Sequence, residues 1–273
     1  MVFTALGTGS AFTLKNYQSN YLVQIGDKRL LIDCGGDIRF ALKDQNMSYK
    51  DITDVYVSHL HNDHVGGLEY LAFCSYFDPS KSKIRLIGHK RVIEELWSST
   101  LRGGLKSIQG KMVNLNDYFD ILCLEDNGCF AFEDIAFKLI QVIHVMDGYA
   151  MVPSFGLMFN YYKTYEGEAL SGPIILKEER SQKVFLTTDC QFCPEQIKDF
   201  YKQSDIIIQD CETSKFPSGV HAHYDKLVTL PIEIKSKMWL THYQDNIVDE
   251  FQARNEQALK DGFRGFMPKG YVL

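Results

Sequence analysis

The sequence lacks any long hydrophobic run. Its longest uncharged stretch, Gly148 to Tyr162, is interrupted by Pro153, Ser154, Gly156 and Asn160. It falls short of the roughly 20 apolar residues that a spanning helix needs, so no membrane segment is expected. Nor is a secretory leader expected, because the first fifteen residues carry a basic side chain only at Lys15 and no apolar core with a small-residue cleavage site. Cysteine is sparse. Seven cysteines scattered over 273 residues, an odd number, exclude a disulfide framework and point to a reducing cytoplasm. Cys190 and Cys193 have C-x-x-C spacing, but no second such pair completes a zinc site, and ordinary packing is the expected role. A basic excess is absent as well. With 29 Lys and Arg against 35 Asp and Glu the net charge is −6, so a nucleic-acid partner is not expected.

What remains, 45% hydrophobic and 23% charged residues, describes an ordinary globular chain. Without a low-complexity linker or a short repeat, residues 1–273 are expected to form a single domain. Val2 to Leu6 reads as a strand ending in the loop Gly7-Thr8-Gly9-Ser10, and Asn20 to Ile25 with Arg29 to Asp33 read as a hairpin around Gly26-Asp27. A short helix follows near Asp37 to Asp44, then a β-rich strand over Asp54 to Ser58. Further strands are expected at Ile84 to Gly88, Ala136 to His144, Ser154 to Tyr161, near Pro173 to Leu176, and at Lys183 to Thr187, Asp205 to Gln209 and Met238 to Thr241. Helical patterns lie near Arg91 to Ser98, Pro194 to Gln203, Asp225 to Ile234 and Ile247 to Gly262. The class is mixed α/β. Strands in both halves end in Ser58-His59 and Thr241-His242, which suggests two similarly built halves.

Within six residues, His59, His61, Asp63 and His64 supply three imidazoles and a carboxylate, donors that suit Zn²⁺, Mn²⁺ or Fe²⁺. Eight histidines in the whole chain would seldom gather so densely in a chance surface loop. On an extended loop His59 and His61 share one face, while Asp63 and His64 turn toward a second ion. Gly66-Gly67 is expected to let the backbone bend before the next helix. The spacing favours two metals over one.

The pattern H-x-H-x-D-H after a short strand resembles the signature of the metallo-β-lactamase superfamily. Leu6-Gly7-Thr8-Gly9 and Ile32-Asp33-Cys34-Gly35-Gly36 are similar to motifs of its phosphodiesterase branch, which includes tRNase Z. That resemblance implies an αβ/βα sandwich, two central mixed β-sheets flanked by helices, with two divalent ions, zinc or manganese, at its edge. It also implies His144 as the third ligand beside His59 and His61, Asp189 bridging both ions, and His242 joining Asp63 and His64. Asp33 would orient the ligand loop by hydrogen bonds, whereas His89 has no counterpart and is expected as a solvated loop residue. Two ions about 3.5–4 Å apart would activate a water and grip a phosphodiester. His221 and His223 are the candidates for a general acid, with His221 the closer match by spacing. Asp210 corresponds to the companion acid, and Glu212 is a possible substitute.

tRNase Z relatives carry a long flexible arm between the counterparts of His144 and Asp189, and here the expected strands leave no room for one. Asp210-Cys211-Glu212, His221-Ala222-His223-Tyr224, the segment Met238 to Tyr243 and the ending Asp261 to Phe266 resemble phage anti-Pycsar proteins. This likeness implies a homodimeric phosphodiesterase that opens 3′,5′-cyclic nucleotides, cyclic CMP and cyclic UMP included, and blunts a bacterial defence signal. Aromatic residues, 13% of the chain, could stack on a base or fill a dimer interface. Glyoxalase II-like thioester hydrolysis, a tRNase Z-like endonuclease and a disabled binding scaffold are the alternatives. The complete ligand set argues against the last of these.

Overall fold

Strands that are apolar on both faces must be covered on both faces, and this requirement organises the chain. A computed structural model describes residues 1–164 and 179–273. The first sheet has the order β1-β2-β3-β4-β5-β8, formed by Val2–Gly7, Asn20–Ile25, Lys28–Ile32, Asp54–Val57, Ile84–His89 and Phe119–Leu124. A small ribbon of β6 (Ser107–Ile108) and β7 (Lys111–Met112) stands apart. The second sheet has the order β15-β14-β13-β12-β11-β10-β9. Its strands, in chain order from β9, are Cys129–Phe132, Ile135–Gln141, Phe155–Thr164, Glu179–Leu186, Ile206–Asp210, Met238–Thr241 and Gly265–Phe266.

Residue parity sorts the core. Along β10, Phe137 and Leu139 face the first sheet while Ile140 faces outward; along β12, Val184 and Leu186 point inward and Phe185 outward. The inner faces meet through rings, with Phe3 stacked on Phe159 at 6.0 Å and Tyr56 on Phe130 at 5.8 Å. Pro194–Gln203 and Phe251–Lys260 cover the outer face of the second sheet through Ile197, Tyr201 and Ala258. Ile38–Asp44 and Leu68–Tyr76 pack on the first sheet. This is the expected αβ/βα sandwich. Each sheet passes from antiparallel pairs, β1 to β3 and β9 to β12, to parallel ones. The likeness of the two halves is therefore one of strand direction.

Several expectations change. The helix sought over Asp225 to Ile234 splits into Tyr224–Leu227 and Ile232–Lys235, because Pro231 cannot continue a helix and instead caps the second piece. Ile247 to Gly262 divides at Glu250, whose φ of −123° leaves the helical range, into Asp245–Asp249 and Phe251–Lys260. Strand β10 stops at Gln141, leaving His144 in a loop. Strands β8 and β9 are not expected from the sequence: β8, at a sheet edge, is half exposed and gives a mixed pattern, and β9 alternates over only four residues. The strand expected near Pro173 to Leu176 lies outside the described residues.

Phe137 touches both Phe130 and Phe159 between the sheets, at 5.1 and 4.7 Å. Phe137→Ala is expected to lower the unfolding free energy by about 3–5 kcal/mol, read as a shifted urea midpoint at unchanged slope. A loss below about 1 kcal/mol would show that the sheets do not depend on this ring.

Candidate metal centre

Loops leaving the carboxyl ends of the parallel strands converge at one edge of the sandwich, where α/β sheets place their sites. Asp33 follows β3, His59 to His64 follow β4, Asp189 follows β12, Asp210 ends β13 and His242 follows β14. Two local conformations aim the first four ligand candidates. The segment up to His61 is extended, so His59 and His61 point the same way, and Asn62–Val65 forms one helical turn that swings Asp63 and His64 to the other side.

The result is two groups of donors that share one carboxylate oxygen. His59 Nε2 and His144 Nε2 lie 3.1 and 3.0 Å from His61 Nδ1, and Asp189 Oδ2 stands 3.7 and 3.8 Å from the first two. In the second group His64 Nε2 is 3.1 Å from Asp63 Oδ2 and 3.2 Å from Asp189 Oδ2. His242 Nε2 completes it, 3.2 Å from Asp63 Oδ2 and 3.4 Å from Asp189 Oδ2. Ligands about 2.0–2.1 Å from a tetrahedral zinc stand roughly 3.3 Å apart, and both groups match that spacing. All seven expected ligand residues are thus brought together.

Hydrogen bonds behind the cluster fix its lone pairs. Asp33 Oδ2 accepts from Ser58 Oγ at 2.8 Å and from His64 Nδ1 at 2.7 Å. With its proton committed to Asp33, the Ser58 oxygen accepts from His59 Nδ1 at 3.0 Å. His144 Nδ1 donates to the Val220 carbonyl at 2.8 Å. Each ring therefore carries its proton on Nδ1 and turns the Nε2 lone pair inward. Lone pairs 3.0–3.1 Å apart repel unless a cation lies among them. His64 Nε2 and Asp189 Oδ2 are moreover buried without a hydrogen-bond partner among the described residues, an expensive arrangement for bare polar atoms. The donor set fits two divalent cations. Burial pushes the His59 imidazole well below its ordinary pKa. At His64 burial acts the same way but is outweighed by Asp189, Asp63 and Asp33, so the cluster attracts positive charge.

Close backbone contact holds the loops together. Gly66 and Gly67 have φ of −62° and −87°, so no unusual bend occurs there, contrary to expectation. Glycine is needed for approach instead: a Cβ on Gly35 would meet the Asp63 carbonyl oxygen at 2.3 Å, and one on Gly67 the Gly35 carbonyl at 2.4 Å. Positive φ at Asp33 (61°), Thr188 (53°) and His242 (62°) puts left-handed backbone at three loop positions of the site. The β-branched Thr188 is the clearest outlier.

The remaining candidates separate. The chain at 222–224 pairs with Glu212 and returns His221 to the cluster, where its Nδ1 donates to Asp210 Oδ2 at 2.7 Å. Burial opposes a charge on His221, but Asp210 prevails and raises the imidazole to about 10. His223 is turned elsewhere: its Nε2 donates to the Ser214 carbonyl at 3.0 Å, and its Nδ1 accepts from the Asp225 N–H at the start of a helix. Asp210 is buried and acts through His221 and, at 3.5 Å, His242. Glu212 binds Ser214 and Ser218 rather than the cluster. His89, expected in solvent, is buried against Phe155 with ring centroids 4.1 Å apart, and its Nε2 donates to Asp126. Cys190 is a buried thiol and Cys193 sits at the start of the Pro194–Gln203 helix, as the packing role requires. Ser58 and Val220 went unnoticed in the sequence; only Ser58, just before the histidine motif, offered a signal.

Above the cluster opens a cleft of about 720 Å³, with His61, Asp63, Asp189, His221 and His242 at its floor. Among the described residues no Lys or Arg lines it. A family model for "Anti-Pycsar protein Apyc1" matches residues 1–273. The chain belongs to the anti-Pycsar Apyc1 family. An Apyc1 protein of Bacillus phage vB_BveM-Goe7 is 32% identical over 259 residues, covering 91% of this chain and 90% of its own. One from Paenibacillus harenae is 32% identical over 253 residues, covering 91% and 92%. Among solved structures, the metallo-β-lactamase fold protein YhfI from Bacillus subtilis has a TM-score of 0.69 at 18% identity, over 100% of this chain and 98% of its own. A diphosphatase from the PhnP family gives 0.71 at 18%, covering 100% and 96%. The short form of human tRNase Z gives 0.64 at 16%, covering 100% and 98%. The fold is thus that of the metallo-β-lactamases.

Asp33→Asn keeps a residue type that tolerates positive φ while removing the charge behind His64 and Ser58. We expect a loss of metal affinity of about 10–100-fold with the fold retained, measured by competition with a chromophoric chelator. Unchanged affinity would show that the Asp33 charge does not orient the cluster.

Proposed function

We propose that this protein is a dinuclear metal-dependent phosphodiesterase that hydrolyses 3′,5′-cyclic nucleotides, cyclic CMP and cyclic UMP among them, to 5′-monophosphates. In doing so it would counteract Pycsar defence signalling, as membership of the anti-Pycsar family supports. The observation that carries the substrate class is the charge of the cleft. A cleft with no Lys or Arg among its described lining residues has nothing to neutralise the many phosphates of an RNA. A small substrate with one phosphodiester charge needs only the cations on the floor and one imidazolium. In this reading the enzyme is a cytoplasmic homodimer; no helix among the described residues is long and apolar enough to cross a membrane.

His59, His61 and His144 would hold one ion, Asp63, His64 and His242 the other, and Asp189 both. Zinc suits the nitrogen-rich set best, with manganese the alternative. When bound, the ions would polarise the phosphodiester and lower the pKa of the attacking water. The chain's own residues do the rest. Asp210, 2.7 Å from His221 Nδ1, orients the ring so that Nε2 remains to deliver a proton to the departing O3′. Hydrolysis adds OH to phosphorus and H to O3′, which leaves the phosphate on C5′. His223, with both ring nitrogens engaged, is the poorer donor.

His221→Ala is expected to slow cyclic-nucleotide turnover by about 10²–10⁴-fold with metal content unchanged. A p-nitrophenyl phosphodiester should suffer less, since its leaving oxygen scarcely needs a proton. Equal losses on both substrates would refute proton donation by this histidine.

The decisive experiment offers the metal-loaded protein a panel of 3′,5′-cyclic nucleotides, precursor tRNA and S-lactoylglutathione, with products resolved by chromatography. We expect 5′-monophosphates and negligible action on the other two. Clean removal of a tRNA trailer without cyclic-nucleotide turnover would favour the endonuclease, and a 3′-monophosphate product would mean that O5′ departs instead.

A further inference from the structure

At the mouth of the catalytic cleft two phenylalanine rings stand in water. Phe12 is 91% and Phe216 80% exposed, and both line the cleft whose floor is the histidine and aspartate cluster. An exposed ring on a pliable loop could fold back onto the protein, but both loops are pinned. On one side Thr13 Oγ1 and the Leu14 N–H donate to the Asp245 carboxylate, the Ser10 N–H donates to the Tyr243 carbonyl at 3.0 Å, and Asn16 Nδ2 donates to Thr8 Oγ1 at 2.7 Å. On the other, the buried Glu212 carboxylate accepts from Ser214 Oγ at 2.7 Å, the Ser218 N–H at 2.9 Å and Ser218 Oγ at 3.0 Å, and so fixes the turn that carries Phe216. This gives Glu212, a buried acid that faces away from the cluster, a task. The Lys215 ammonium, outside the cleft lining, lies 5.7 Å from the Phe216 ring centroid.

We infer that Phe12 and Phe216 form an aromatic seat for the nucleobase of a nucleotide whose phosphodiester lies on the metal-binding floor, an inference that rests on the phosphodiesterase reading above. The ligand must bring a flat apolar face to the rim and a single anionic group to the floor, and a mononucleotide has both. Stacking accepts any base, because every base has a π-face. Such a seat gives affinity without choosing between pyrimidine and purine.

The test uses Phe12→Ala, Phe216→Ala and the double variant of the metal-loaded full chain. Steady-state kinetics are measured on cyclic CMP, cyclic AMP and 1-deoxyribose 3′,5′-cyclic phosphate, which has the same phosphodiester and no base. Each single substitution is expected to raise KM for both nucleotides about 5–150-fold while kcat stays within about twofold, and Phe→Tyr at either position should restore it. The baseless analogue should have a high KM that neither substitution changes. A parallel rise for the baseless analogue, a fall in kcat without a change in KM, or a changed oligomeric state by light scattering would overturn the seat. If the unaltered protein cleaves bis-p-nitrophenyl phosphate but no cyclic nucleotide, the substrate reading itself fails and takes the seat with it. Nucleotide turnover with KM indifferent to both rings leaves the phosphodiesterase standing and refutes the seat alone.

Discussion

The buried carboxylate of Asp33 is the contact on which the site depends. It accepts from the Ser58 N–H at 2.8 Å, from Ser58 Oγ at 2.8 Å and from His64 Nδ1 at 2.7 Å. One anion thereby joins the ends of β3 and β4 and sets two imidazole tautomers, that of His64 directly and that of His59 through Ser58. Charge-assisted bonds of this kind offset the cost of burying a carboxylate. Their effect at a distance is to turn lone pairs toward one another, where only a cation makes the arrangement favourable. Folding of the two loops and affinity for metal are therefore coupled through the same side chain.

Local signals in the sequence are what the structure bears out best. The hairpin at Gly26-Asp27, the helix Pro194–Gln203 and the strand Met238–Thr241 stand as expected, since each is bounded by residues whose conformational preference decides the matter. The dense cluster His59 to His64 declared its chemistry for the same reason: four donors within six residues leave few other uses. His144, Asp189 and His242 join the candidate set only through resemblance, because nothing local distinguishes a ligand from a core histidine or aspartate. The misreadings have a common cause. His89, with no counterpart among relatives, is expected in solvent, but Phe155, far along the chain, covers it. Gly66-Gly67 is expected to bend the backbone, whereas Gly67 lets the Gly35 backbone pass close by and Gly66 makes room for Asn62.

His221 and His223 show how far spacing can go. Two residues apart in an extended segment, they share a parity, and the sequence offers no means of telling them apart. Tertiary structure does so by giving each a different neighbour. Asp210, brought up at the end of β13, accepts a hydrogen bond from His221 Nδ1, while His223 falls at a helix start and spends both nitrogens on the backbone. With Nδ1 capping the helix and Nε2 on the Ser214 carbonyl, His223 has no nitrogen left for a substrate, so the choice between them follows from backbone geometry.

Charge completes the argument. The chain is acidic overall, and the cleft is floored by Asp63 and Asp189 with no lining Lys or Arg among its described residues. A phosphodiester approaching such a cleft without cations would meet repulsion. In the proposed reading the groups that make the reaction possible therefore also make binding possible, and an anion has no foothold until the ions are in place. An aromatic rim is the complementary device, since a stacked base adds affinity that owes nothing to charge. In the proposed reading longer nucleic acids gain little from that division, because each added phosphate enters a field that no Lys or Arg among the described lining residues relieves, and preference for a small substrate follows from what the cleft leaves out.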